Sequence, residues 1–442
     1  MDDVNRPLYT VAVRALCEFT AKSGDLDLRF TPSPTAQEGI AGHGVVAGRR
    51  SDEYETEISL SGEHGALLVR GRADGYDPRR NQLEEIKTYK GDLSTMPANH
   101  RALHWAQLKV YGYLLCAARG IDSIKLALVY FDIGSQKETV LREEHEAFAL
   151  QSFFRAQCDL FLYWAEQELA HRSARDAALA AMPFPHASFR PGQRQLAEAM
   201  YKASNRGCCL LAQAPTGIGK TVGSLFPLLK ASAQHQLDKV FFLAAKTSGR
   251  QMALDAIRII RADRSEQPLL PLRTLELVAK GSACEYPDKA CHGDSCPLAR
   301  GFYDRLPAAR SAALLAPVLD QSTLREVALA HQVCPYYLSS EMARWCDVVI
   351  GDYNYYFDLS AMLHSLTQMN QWKVSVLVDE AHNMVSRARK MYSADLTHAD
   401  LRLLRKVVPE PLKKPLERVH RVWSQLEMDQ ELEYEVQGHS VG

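Results

Sequence analysis

No apolar run in the 442 residues approaches the roughly 20 needed to cross a bilayer. A membrane-spanning role is therefore excluded. The opening stretch, MDDVNRPLYT, is acidic and polar and lacks the basic start and apolar centre of a secretory signal. A cytoplasmic protein is expected, in a compartment where thiols stay reduced and clustered cysteines mean metal more often than disulfide. Charge of one sign is also missing. With 52 Lys and Arg against 53 Asp and Glu, the net charge is -1, so nucleic-acid binding has to come from local basic grooves. No internal repeat and no low-complexity tract is present, which excludes a stacked-repeat architecture. What is there is ordinary globular material, 46% hydrophobic and 24% charged, in a length that suggests roughly three domains.

The stretch AAMPFPHASFRPGQ, residues 181–193, is proline-rich after a long helical pattern and reads as a linker. Beyond it, CCLLAQ (208–213) suits a buried parallel strand, APTGIGKT follows, and helical spacing resumes. Strand, glycine-rich loop and helix are the context a phosphate-binding P-loop requires. Thr216, Gly217 and Gly219 bring backbone N–H groups toward phosphate oxygens. Lys220 reaches the outer phosphates and Thr221 ligates Mg²⁺. The first loop position is Ala214 where the general pattern has glycine. Further on, KVSVLVDEAHN ends a β-branched run with Asp379 and Glu380 at the strand's C-terminal end, the edge where ligands sit in parallel sheets. Asp379 is expected to hold Mg²⁺ through water, Glu380 to orient or deprotonate the attacking water, and His382 to couple nucleotide state to its neighbours. An ATP site follows from the two motifs together.

Between these motifs lie Cys284, Cys291, Cys296 and Cys334, with six, four and thirty-seven residues between successive members. Two close Cys-x-x-Cys pairs, the pattern of a zinc ribbon, are absent. Four thiolates on irregular loops suit an iron–sulfur cluster or zinc, and spacing alone leaves both open. His292 reads as a solvated neighbour, and the other six cysteines as small core hydrophobes.

In the first 180 residues, ALLVRGRADGYD and QLEEIKTYK read as two strands joined by a turn around DPRRN. Glu85 and Lys87 share a face by the period-two rule, and Asp74 closes the preceding strand. An Asp followed by Glu-x-Lys is the arrangement of PD-(D/E)XK nucleases, in which two carboxylates hold Mg²⁺ or Mn²⁺ and the lysine positions or activates water. Glu84 and Asp77 leave the register ambiguous. His43 in GIAGHGVV is a further candidate metal ligand. HRALHWAQLKVYGYLLCAARG reads as a helix ended by Gly120, with Gln107 and Tyr111 on one apolar face. A glutamine in that stripe needs a polar partner.

The D-E-A-H box resembles that of superfamily 2 helicases. FRPGQRQL is similar to their adenine-reading Q motif, with Arg190 and Gln193 in the informative places. VFFLAAKTSGRQ sits where their first DNA-contacting loop lies, which makes Thr247, Ser248 and Arg250 phosphate-contact candidates. A cysteine-bearing insert ending in CPYY, followed by WCDVVIGDYNYYFD, is similar to the XPD/DinG family of iron–sulfur helicases over residues 186–400. That resemblance implies that Cys284, Cys291, Cys296 and Cys334 hold a [4Fe–4S] cluster, that the partner is single-stranded or branched DNA, and that movement runs 5′ to 3′. His43, Asp74, Glu85-x-Lys87 and Gln107-x-x-x-Tyr111 together resemble the RecB-like nuclease branch over residues 35–130, with Glu85 where that branch's strand carries Asp.

The implied fold class is α/β. A PD-(D/E)XK nuclease-like domain over 1–180 precedes a RecA-like parallel-sheet motor over 181–280 and 341–385, with an iron–sulfur domain at 281–340 and the start of a helical arch at 386–442. Nothing in the sequence resembles a second motor domain or its arginine finger, so this chain alone is expected to show weak ATP hydrolysis and no unwinding. The implied function is an ATP-dependent DNA helicase fused to a metal-dependent DNA nuclease, acting in repair or recombination. The rival readings are a non-catalytic DNA-binding N-terminal module anchoring the motor, and a zinc-stabilised RNA helicase.

Overall fold

The computed structural model describes residues 9–29, 34, 36–262, 270–359, 361–395, 397–408 and 410–438. MDDVNRPL and the terminal HSVG lie outside the described residues. The chain forms two compact units, Met1–Tyr356 with Ala361–Ala381, and Phe357–Ser360 with His382–Gly442.

The first unit is mixed α/β and contains two sheets. The N-terminal sheet is built from β1 (Tyr9–Ala12), β2 (Glu55–His64), β3 (Leu67–Asp77), β4 (Gln82–Tyr89), β5 (Ser123–Asp132) and β6 (Glu138–Glu146). Its order is β1-β3-β4-β5-β6, with β2 also on β3. β5 is apolar and buried from Leu126 through Phe131, as a central strand covered on both faces must be. The turn between β3 and β4 is set by Asp77, whose Oδ1 accepts from the amides of Arg79 (3.0 Å) and Arg80 (3.3 Å). The β3–β4 ladder pairs only Gly75–Asp77 with Gln82–Glu84. Beyond that point the strands part. In the fork, Asp74 Oδ2 accepts from the amide of Ile86 at 2.6 Å, a side chain standing in for a ladder carbonyl. The helix Ala98–Arg119 carries the chain from β4 to its parallel neighbour β5 and stops at Gly120, whose φ of +65° terminates it without Cβ strain.

The second sheet is all parallel, in the order β11-β7-β10-β8-β9: β7 (Lys239–Ala244), β8 (Thr274–Glu276), β9 (Val318–Leu319), β10 (Val348–Asp352) and β11 (Val374–Val378). Its core joins Leu225, Leu229, Phe242, Ile257 and Ile350. CCLLAQ, read from sequence as a buried strand, is not one. Residues 208–213 have no strand partner, and Cys208, Cys209, Leu210 and Leu211 are exposed, Leu211 by 91%. The same observation corrects the core assignment of Cys208 and Cys209, whereas Cys17, Cys116, Cys158 and Cys346 are buried. The physical reason lies at the sheet edge. Apolar composition gives a tendency to be buried but does not supply a partner: β11 is the edge of the sheet, pairing only with β7, and residues 208–213 are not added outside it.

The two sheets share buried polar contacts. The 35-residue helix Ala147–Ala181 sends Arg175 to Asp347 (2.8 Å), and its His171 lies 2.9 Å from the other oxygen of the same carboxylate. Against the cost of burial, His171 and Arg175 hold Asp347 well below the usual carboxylate range. The segment 24–28 runs along the cysteine loop: Leu26 N–H donates to Ala299 O (2.9 Å), Leu28 N–H to Cys291 O (3.3 Å), and Gly301 N–H to Asp25 Oδ1 (2.6 Å).

The second unit is helical, with Met384–Met391, His398–Val407 and Glu410–Gly438. Thr397 caps the middle helix by accepting from Asp400 N–H at 3.1 Å.

Candidate functional site

Three clusters of chemistry-bearing side chains lie in the first unit. The most concentrated occupies the β3–β4 fork. His43, on the helix Ala36–Ala47, has Nδ1 3.5 Å from Asp74 Oδ1. Ligand atoms of His43, Asp74 and Glu57 all lie within 4.8 Å of one another. Glu85 stands beside this trio, its Oε1 accepting from Lys87 Nζ at 2.6 Å, and Lys87 also donates to Gln107 Oε1 at 3.1 Å. The buried glutamine thus has its polar partner. Tyr111 is buried with its hydroxyl against Gly71, where a Cβ would come within 2.6 Å of that oxygen, so β3 needs glycine there. The ambiguous register is resolved, since Glu84 is taken by Arg50 (2.8 Å) and Tyr54 (3.1 Å) and Asp77 by the turn amides.

Glu57 was not found by sequence reasoning. It sits opposite Asp74 where the β2–β3 ladder is interrupted, between Thr56↔Gly75 and Ile58↔Ala73, and its φ of +58° is a conformation that non-glycine residues rarely adopt. Arg72 pairs with it. One imidazole and two carboxylates are ligands suited to a small divalent cation.

Burial, and then the charge of Glu85, push the Asp74 carboxyl up to about 8, partly offset by Lys87. Burial and nearby Lys87 push His43 down. The metal-free site therefore holds Asp74 protonated at neutral pH. Its pKa when unfolded is about 3.9, so between about 4 and 8 the folded chain binds the extra proton and stability falls as pH rises. Asp74→Asn is expected to remove that slope. In chelator at pH 8 it should melt above wild type by about 2–4 °C per kcal/mol relieved. Melting curves for both proteins at pH 5 and pH 8 check this, and equal slopes would count against it.

The second cluster surrounds the P-loop. Gly217 and Gly219 take φ values of +87° and +77°, and Gly219 caps the helix Lys220–His235 that begins with Lys220 and Thr221. Arg190 Nη1 donates to Gly217 O (2.7 Å) and Gln193 Nε2 to Gly219 O (3.0 Å), so both brace the loop backbone. Thr216 is exposed on it. Lys220 Nζ lies 3.0 Å from Glu380 Oε1. Asp379 and Glu380 follow β11, and the Tyr353 hydroxyl donates to the carbonyls of both. Burial and Glu380 raise Asp379, with Lys220 opposing. Thr247 and Ser248 are exposed at the start of the helix Thr247–Arg261, whereas Arg250 is turned to Glu276 at 3.2 Å.

The third cluster is the cysteine loop. Cys284 ends the short helix Lys280–Ala283, Cys291 and Cys296 lie on irregular chain, and Cys334 precedes the helix Pro335–Met342. All four are half-buried free thiols. Burial raises Cys334, the amides of Tyr337 and Tyr336 oppose this, and Cys284 and Cys291 add to it. A hydrogen bond with Cys291 raises Lys280. Among the described residues no three of these sulfurs lie within 4.8 Å of one another. One tetrahedral zinc with Zn–S near 2.3 Å would need sulfurs about 3.8 Å apart. His292, read as solvated, is instead largely buried at 17% exposure and bridges to Asp27.

Among the described residues no helix is long and apolar enough to cross a membrane. Residues 272–401 match the DEAD_2 family. The chain is 24% identical over 229 residues to the general transcription and DNA repair factor IIH helicase subunit XPD of Dictyostelium discoideum, covering 46% of this chain and 29% of that protein. It is 36% identical over 89 residues to human regulator of telomere elongation helicase 1, covering 20% of this chain and 7% of that one. A solved XPD helicase is 18% identical with a TM-score of 0.36, covering 53% of this chain and 40% of that one. The chain thus spans less than a third of the length of these two curated relatives. Its DEAD_2 segment and the sequence around it are similar to helicases of the XPD and telomere-elongation-regulator type.

Proposed function

We propose that this chain joins the ATP-binding half of an iron–sulfur DNA helicase, moving 5′ to 3′, to a divalent-metal DNA nuclease, and that the parent protein acts in DNA repair or recombination. The convergence of His43, Asp74, Glu85, Lys87, Gln107 and Tyr111 on one strand fork carries the nuclease half of this reading. The DEAD_2 match and the helicase relatives support the motor half.

In the nuclease, His43, Asp74 and Glu85 would hold Mg²⁺ or Mn²⁺, with Glu57, which lies with His43 and Asp74 while paired to Arg72, as an added ligand. The metal supplies Lewis acidity and a hydroxide-like nucleophile. Lys87, held by Glu85 and Gln107, would help place the water and offset phosphate charge, and Tyr111 packs against Gly71 of β3. In the motor, a nucleotide phosphate displaces Glu380 from Lys220. Thr221 and Asp379 would hold Mg²⁺, Glu380 would orient water, and Arg190 and Gln193, the candidates for reading adenine, brace the loop backbone. Cys284, Cys291, Cys296 and Cys334 would hold a [4Fe–4S] cluster, a reading supported by four half-buried free thiols on and around the cysteine loop. On this reading the nuclease would occupy residues 1–180 and the cluster domain residues 281–340.

The test is cleavage of end-labelled single-stranded DNA with Mn²⁺ and no ATP. Wild type and Lys220→Ala are expected to cut equally, and a chelator to abolish cutting. DNA binding without cleavage under any divalent metal would instead favour an anchoring module.

A further inference from the structure

A cleft of about 770 Å³ lies between the N-terminal sheet and the N-terminal ends of the motor strands. That is the end of the parallel sheet opposite the P-loop, since Trp372 on its wall precedes β11 and Asp379 follows it. The volume falls within the ~300–1,000 Å³ of ligand sites. Its lining includes four arginines, Arg70, Arg72, Arg172 and Arg344, and no carboxylate. Acidic partners stand behind three of them: Glu57 for Arg72, Glu168 for Arg172 and Glu18 for Arg344. These contacts fix the guanidinium groups in place without putting negative charge on the wall. Arg70 is exposed at the rim and donates to Gln371 Oε1 at 2.8 Å, a neutral partner that a phosphate can replace.

Aromatic rings form part of the remaining surface, beside small and polar residues such as Thr10, Ser59, Ser61 and Asn370. Tyr9 lies against Phe161 at 5.6 Å between centroids, Phe19 against Trp345 at 5.5 Å, and Trp372 stands across from them. Fixed arginines among aromatic faces are what a strand of unpaired nucleotides needs, phosphates on the cations and bases on the rings. Phe161 and Trp345 are buried and only back the wall, so the ring faces left for a base are those of half-buried Tyr9, Phe19 and Trp372. A base paired inside a duplex cannot present its face to them. The wall also has a direction. Arg70, Gly71 and Arg72 lie on β3 immediately before Asp74, and Gly71 touches the Tyr111 hydroxyl. A strand in the cleft is thereby led to the fork.

We propose that this cleft binds single-stranded DNA and delivers it to the β3–β4 fork. The delivery rests on the nuclease reading above, while the binding stands apart from it. The experiment therefore measures binding alone: anisotropy of a fluorescein-labelled oligothymidylate with the full chain, in chelator and without nucleotide. Arg70→Glu and Thr10→Glu both change exposed rim residues. Each is expected to weaken binding at least about tenfold with an unchanged melting temperature. Arg70→Ala should reduce the salt slope by about 1. Wild-type affinity in both glutamate variants would overturn the proposal. So would equal displacement of the oligonucleotide by polyglutamate of matched charge, which would identify a site for acidic peptide. Weakened binding in variants of a protein that never cuts would leave the cleft assignment standing and the nuclease reading refuted.

Discussion

Glu85→Gln is expected to lower Mn²⁺-dependent cleavage of single-stranded DNA by at least about 1,000-fold, the ~4 kcal/mol of transition-state stabilisation a metal-bound nucleophile supplies. The substitution keeps the shape of a side chain only 6% exposed, and a neutral amide oxygen still accepts from Lys87. The fold should therefore survive, and loss of cutting would report chemistry. Glu85→Ala should lose activity to the same extent but also stability, because Lys87 would keep only Gln107. Removing the Glu85 charge also relieves one of the three causes that raise Asp74, after burial and beside the charge of Glu57. The glutamine variant should accordingly titrate Asp74 at lower pH, visible as a metal-free stability that declines over a narrower range. Initial rates and melting curves for the three proteins decide the matter. A glutamine variant cutting within tenfold of wild type would remove Glu85 from the metal site.

Cys334→Ser is expected to have the largest effect on stability. Wild type should carry about four irons per chain, and the serine variant close to none, with a loss of more than about 4 kcal/mol of stability. Cys334 sets the start of the helix Pro335–Met342, which carries Glu341. Glu341 accepts from Arg310 at 2.8 Å, and Arg310 lies over the Phe19 ring at 3.9 Å. Arg344, just beyond that helix, reaches Glu18 at 3.1 Å. Losing the group that would tie Cys334 to its partners should therefore loosen the cysteine loop and the helix Val13–Thr20, which carries Glu18 and Phe19, together. Cys208→Ser, at an exposed thiol, should change neither iron content nor melting. Iron and sulfide analysis beside thermal unfolding checks both variants, and zinc in place of iron in wild type would sink the assignment.

The parts of these sites that sequence makes legible are those fixed by local rules. Glu85 and Lys87 were paired by strand alternation, and their 2.6 Å contact follows from that face. Gln107 was conspicuous as an amide in an apolar stripe, and it meets Lys87. Glu57 was illegible because its role depends on a break in alternation at φ +58°, and GluThrGlu runs carry no mark of which carboxylate turns inward. CCLLAQ was misread because burial of a parallel strand is decided by its neighbours in the sheet, not by its own composition. The packing of Asp25 and Leu28 on the cysteine loop joins residues more than 250 positions apart, and it buries His292 in a way no local pattern encodes.

Arg190 and Gln193 each commit a side chain to a carbonyl of the glycine loop, those of Gly217 and Gly219. On the proposed ATP-site reading, a substitution at either would lower the fraction of molecules whose loop is already set, and the apparent dissociation constant is the intrinsic one divided by that fraction. Part of any loss of nucleotide affinity would then come from the loop itself rather than from a lost contact to adenine.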